Sequence, residues 1–236
     1  MYTTGAEVKT KRANCYLPIE QASQCKKIKC ESVSTEKPRI PARILGRRYM
    51  LTTTSYKFLE IGISVGPASY VELVLGDNRG NHLILPKEIW KEIIHRRAHI
   101  ERYVVSPNSS PLWIRDLSVE CRMMHGDTII KLTLFNKSLY LKPETLNNLF
   151  NLEQCIDHMY SWLYENTHIV NAKFQKFVCI LQQNDIIRKW YESKTTDWSY
   201  AAKVIRESDD FDSESLVDCE LLACALKDLV HYVLNN

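Results

Sequence analysis

Leu83-Ile84-Leu85-Pro86-Lys87-Glu88-Ile89-Trp90 and Leu139-Tyr140-Leu141-Lys142-Pro143-Glu144-Thr145-Leu146 are two versions of one pattern, 56 residues apart. Each ends a strand-rich segment with alternating apolar residues, then brings in a Pro and a Glu, then an amphipathic helix. Proline suits the first helical turn, where its missing N–H is not needed, and the glutamate sits at the positive end of the helix dipole. The repeat predicts a duplicated unit with internal pseudo-symmetry.

Upstream of the first copy, Arg47 to Thr54, Phe58 to Val65, Tyr70 to Leu75 and His82 to Leu85 have the β-branched and aromatic content of strands. Gly66-Pro67 and Asp77-Asn78-Arg79-Gly80-Asn81 mark the turns between them. Downstream, Ile89, Trp90, Ile93, Ile94 and Ile100 recur near helical spacing through Tyr103. The expectation for 43–105 is ββββα. Upstream of the second copy, Leu112 to Leu117, Val119 to Met124, Thr128 to Phe135 and Ser138 to Leu141 read as strands. A helix from Pro143 carries Leu146, Leu149, Phe150, Ile156, Met159 and Leu163, so 112–168 is again ββββα. Residues 169–236 read as a helical extension, with an acidic stretch from Asp209 to Glu214. Its last helix has a Leu-rich face that this chain or a second copy must cover. The fold class expected is therefore α+β: two tandem ββββα units forming a pseudo-dimer, C-terminal helices, and a disordered basic arm over 1–42.

A 45% hydrophobic, 25% charged composition is that of an ordinary globular chain. No apolar run is long enough to cross a membrane, and Met1 to Arg12 lacks the apolar core of a signal peptide. An intracellular, nuclear chain with reduced cysteines is the expectation. The net charge of +3 is unevenly placed. Residues 1–48 hold 11 Lys/Arg against 4 Asp/Glu, and the remainder 20 against 24. Lys9, Lys11, Arg12, Lys26, Lys27 and Lys29 supply much of that basic arm. It reads as a polyanion-binding or nuclear-import segment, or as a solvated tail.

These elements resemble the single-stranded-DNA-binding fold shared by the transcriptional coactivator positive cofactor four and the plant Whirly proteins. That family's strand-to-helix junction has the form Leu-x-Pro-Glu-x-Trp. Leu141 to Leu146 matches it except for the final aromatic, and Leu85 to Trp90 keeps Leu, Glu and Trp with the Pro one residue early. Leu45-Gly46-Arg47-Arg48-Tyr49 is similar to the coactivator's entry into its sheet. Two units in one chain is the Whirly arrangement, although the Whirly Lys-Gly-Lys-Ala-Ala-Leu motif is absent. The resemblance covers about half the chain and implies a curved sheet that holds single-stranded DNA or RNA.

A single strand is held by cations that track phosphates and by aromatic faces on which bases stack. The candidates are Arg47, Arg48, Tyr49, Tyr56, Lys57 and Arg79 in the first unit, and Trp113, Arg115, Arg122, Lys131 and Lys137 in the second. Alternation sends about half of the strand positions inward. Arg47, Arg48 and Lys57 are expected outside, while Phe58 and Tyr70 are expected in the core. His95 and His99 have a ligand spacing on one helix, but no His-Glu-x-x-His motif accompanies them, and no metal or other cofactor is expected. Cys25/Cys30 and Cys219/Cys224 lack zinc spacing. With no catalytic signature, the expectation is a binding protein rather than an enzyme, with single-stranded DNA or RNA as partner and no small-molecule substrate. The alternative is an adaptor that assembles, as a homodimer among other ways, through its C-terminal helices.

Overall fold

Residues 42–106, 110–187, 189 and 197–235 are described by the computed structural model of the chain. The basic arm, with Lys9, Lys11, Arg12, Lys26, Lys27 and Lys29, lies outside them. The first sheet is β1 (Arg43–Met50), β2 (Lys57–Ser64), β3 (Tyr70–Asp77) and β4 (His82–Leu85), antiparallel and in chain order. Helices α1 (Lys87–His95) and α2 (Arg97–Val105) follow. The second sheet repeats the order with β5 (Leu112–Ile114), β6 (Leu117–Met124), β7 (Asp127–Leu134) and β8 (Lys137–Leu141). Then come α3 (Pro143–Phe150), α4 (Glu153–Gln182), α5 (Trp198–Arg206), α6 (Leu216–Cys224) and α7 (Leu226–Asn235). The architecture is the expected pair of ββββα units with added C-terminal helices.

Each expected single helix is broken. The first bends at Arg96, whose φ of −93° and ψ of 14° lie in the sparsely allowed bridge region. His95 and His99 therefore fall on different helices, which undoes their shared-face spacing. The second breaks between Phe150 and Glu153, and the last at Ala225. In the other direction, α4 runs unbroken through residue 168, so the boundary drawn there from sequence falls inside a helix of 30 residues.

Strand register explains the packing. Leu59, Ile61 and Ile63 of β2 pair with Leu75, Leu73 and Val71 of β3, and all point to one side. There they join Ile89, Trp90 and Ile93 of α1 and Leu163, Val170, Phe174 and Phe177 of α4 in one core. The second unit adds Val119, Ile130, Leu132, Leu139 and Leu141 to the same core, with Leu146, Leu149 and Phe150 of α3. Strands β4 and β8 lie side by side, so the sheets meet edge to edge without hydrogen-bonding into one. Leu221, Leu229 and Val230 of the C-terminal helices are fully buried in this core as well. The Leu-rich face is thus covered by the chain itself.

A bulge in β1 sets which of its residues face outward. Register jumps between Ile44 and Arg47, and Leu45 takes a φ of 53°. Its N–H donates to the Glu220 carboxylate of α6. Opposite it, a Cβ on Gly62 would lie 3.1 Å from Gly46 Cα and 3.2 Å from the Ile44 carbonyl oxygen, so the close approach requires glycine. Past the bulge, Arg48 pairs with Glu60 on the outer face, while Arg47 and Tyr49 pair with Ile61 and Leu59 on the core side.

Candidate functional site

The outer face of the first sheet is crowded with compensating charge. Arg43 Nε lies 3.0 Å from Glu60 and its Nη1 2.7 Å from Glu72, and Arg48 Nη2 is held by the other Glu60 oxygen. Burial alone would raise the Glu60 carboxyl, but hydrogen bonds and charge from Arg48 and Arg43 outweigh it and hold Glu60 below the usual range. Two arginines against two glutamates leave this face with no spare positive charge. Phe58 is buried here, outside the core cluster, beneath the Arg48 guanidinium at 4.1 Å from the ring centroid. Tyr70, expected inside, is 53% exposed at the start of β3, with its hydroxyl 3.4 Å from Glu72.

Several first-unit candidates lie elsewhere than expected. Lys57 is buried, 7% exposed, because its parity is that of Leu59, and it donates to Asp77 at 3.0 Å. Tyr49 packs against the core. Arg47 is exposed and forms no ion pair among the described residues, but it opens onto the helices rather than the outer face. Tyr56 and Arg79 stand in loops, the Arg79 guanidinium 5.9 Å from the Tyr56 ring centroid.

The second sheet differs. Register sets Glu120, Lys131 and Tyr140 in one row across its outer face, with Trp113, Ser118, Thr133 and Ser138 in a neighbouring row. Trp113 is 60% exposed and Tyr140 45%. Arg122 donates to Glu120 at 2.7 Å and Lys131 lies 3.7 Å from the other Glu120 oxygen. The Arg122 hydrogen bond, with the Lys131 charge, keeps Glu120 below the usual carboxylate range. Two cations share one carboxylate, leaving a surplus of +1 beside two exposed rings. Arg115 sits in the turn between β5 and β6 and Lys137 opens β8; Lys137 Nζ lies 3.2 Å from His82 Nε2 of the first unit.

The row ends in a cleft of about 1030 Å³ between the units. Tyr140, Met124 and Ile129 reach it from the second sheet, and Tyr56, Lys57 and Arg79 from the first. Sequence reasoning found the latter three and missed Tyr140, His125 and Lys142, which the β6/β7/β8 register gathers in the second unit and which face the first-unit residues only where the units meet. Among the described residues no three His, Cys, Asp or Glu side chains gather as metal ligands, and no helix is long and apolar enough to cross a membrane. Cys121, Cys155, Cys179, Cys219 and Cys224 are free thiols. The acidic stretch is tied to α4, where Lys176 holds the Asp210 carboxylate and Lys173 donates to the Asp210 carbonyl, each at 2.9 Å; Lys173 also pairs with the buried Asp218 of α6 at 2.7 Å.

Compared with protein-family models, curated proteins and solved structures, the chain matches none.

Proposed function

We propose that this chain binds single-stranded nucleic acid, DNA in preference to RNA, without sequence specificity, and that it serves transcription or replication in the nucleus. The observation carrying the reading is the open outer face of the second sheet, where exposed Trp113 and Tyr140 flank Arg122 and Lys131. Aromatic faces beside a modest cationic surplus suit stacked bases with intervening phosphates, and each stacked base contributes about 1–3 kcal/mol. The likeness of the two strand-to-helix junctions to the positive cofactor four and Whirly fold supports the same reading, and the basic arm adds charge for the backbone. No small-molecule chemistry or enzymatic step is part of it.

The test is a salt-resolved affinity comparison of oligo(dT) with duplex DNA. Tighter single-strand binding that weakens about five- to hundredfold in Trp113→Ala is expected. Equal or better affinity for duplex would remove the sheet-face reading. A second reading, a protein adaptor, is favoured by the groove of about 380 Å³ where Trp162 (42% exposed) and Leu216 (59% exposed) flank Arg47. It predicts no nucleic-acid affinity and unchanged behaviour in Trp113→Ala.

A further inference from the structure

We propose that the cleft between the two units is a pocket for a nucleoside monophosphate, either free or as one unit of a bound strand. At about 1030 Å³ it has the size of cofactor and small-ligand sites. Its walls carry one phenol ring from each unit, Tyr56 and Tyr140, with Met124, Ile129 and Leu141 supplying apolar surface. Such surfaces take a flat, aromatic ligand.

The charges select the rest of that ligand. Asp77 at the floor is saturated: it accepts from Lys57 Nζ at 3.0 Å, from the backbone N–H groups of Arg79 and Asn81, each at 3.0 Å, and from Asn81 Nδ2. Neither carboxylate oxygen is left for a ligand or a metal ion. Lys142 is engaged by Asp127 at 2.9 Å, and Glu144 adds a further negative charge at the rim. Arg79 is the cation of this lining with no ion pair among the described residues. Three cations against three carboxylates, with one guanidinium free, suit a single phosphate and oppose a triphosphate. For the base edge, Asn148 donates one Nδ2 hydrogen to the Leu51 carbonyl at 3.1 Å and keeps its own carbonyl oxygen available, and Thr53 and Thr54 are exposed in the lining.

This pocket can exist whether or not the second sheet carries a strand, and the experiment separates the two. The full chain is titrated by calorimetry with thymidine monophosphate, adenosine monophosphate and the matching triphosphates, and separately with oligo(dT). Monophosphate binding is expected, tighter than that of the triphosphates, and weakened about ten- to hundredfold by Arg79→Gln and by Tyr56→Ala. Arg79 is exposed in a hairpin turn, so its variant keeps the fold, which a thermal melt verifies. Competition between monophosphate and oligo(dT) would place one unit of the strand in the cleft; independent binding would mark a free-nucleotide site; both support the pocket. Oligo(dT) binding without any monophosphate binding would overturn the pocket and leave the strand reading standing. Monophosphate binding indifferent to both substitutions would overturn it too, and absence of all binding would overturn both readings.

Discussion

The ring of Phe58 lies directly over Gly76 of the neighbouring strand: a Cβ at 76 would come within 2.7 Å of Phe58 Cζ and 3.0 Å of Cε2. The two residues are register partners, and Arg48 closes the other side of the ring at 4.1 Å. The aromatic therefore has a cation on one side and a bare backbone on the other, so a Cβ at 76 must displace the ring. Gly76→Ala is expected to destabilise the protein by about 1–3 kcal/mol through overpacking. In a Phe58→Leu background the cost should shrink. Thermal unfolding of the parent, the two single variants and the double variant measures the coupling, and strictly additive costs would show that the ring does not confine position 76.

Lys57 and Asp77 make a different kind of contact, an ion pair whose side chains are 9% and 4% exposed. Lys57→Met strands a buried carboxylate and is expected to cost about 3–5 kcal/mol. Burial on its own would raise the Asp77 carboxyl, yet hydrogen bonds from Lys57 and Asn81 prevail and hold it below its ordinary value. The sign follows: the folded state binds the proton less readily than the unfolded chain. Its contribution to stability is full above about pH 4 and is lost as pH falls through the lower folded value. Acid unfolding of Asp77→Asn, compared with the parent, should lose part of its pH dependence below that point. Identical acid profiles would deny the pair this role.

Both relationships show where sequence stops being legible. The two Pro-Glu junctions, the turn residues and the strand alternation were enough to anticipate two ββββα units, because each signal is local. Lys57 was expected outside because a lone lysine on a strand usually is; its partner lies 20 residues away, and only the β2/β3 register brings them together. The same holds for Arg43, whose neutralisation by Glu60 and Glu72 requires three strands to be aligned. Arg96, Asn151 and Ala225 end helices without any Gly or Pro to announce it. Of the candidate site, Trp113, Arg122 and Lys131 were legible as basic and aromatic residues of strands, and register sets them on the outer face, whereas Tyr140, His125 and Lys142 gain meaning only when the second unit is set against the first.

Glu120 is the brake on the second sheet's outer face, since it engages both Arg122 and Lys131. Glu120→Gln removes its charge and leaves two cations free. If a strand lies on this face, affinity for oligo(dT) at low salt should rise severalfold. The logarithmic salt slope should steepen by up to about 0.7 for each phosphate newly neutralised. Filter-binding titrations at several salt concentrations check this. An unchanged slope would mean that phosphates do not approach Glu120.

Phe135 and Asn136 form the two-residue turn between β7 and β8, both left-handed, with φ of 46° and 66°. Such turns match the twist of the paired strands but demand positive φ at both central positions, which favours Asn and Gly. Asn136 meets the demand. Phe135 does not: a β-carbon with a bulky ring is strained in this region by about 1–2 kcal/mol, and the ring recovers little by packing because it is 67% exposed. Replacing Phe135 with Asn should therefore raise stability by about 1 kcal/mol with the β7/β8 register intact. Urea unfolding at matched m-values measures the gain. A loss of stability instead would show that the exposed ring makes a contact that outweighs its strain.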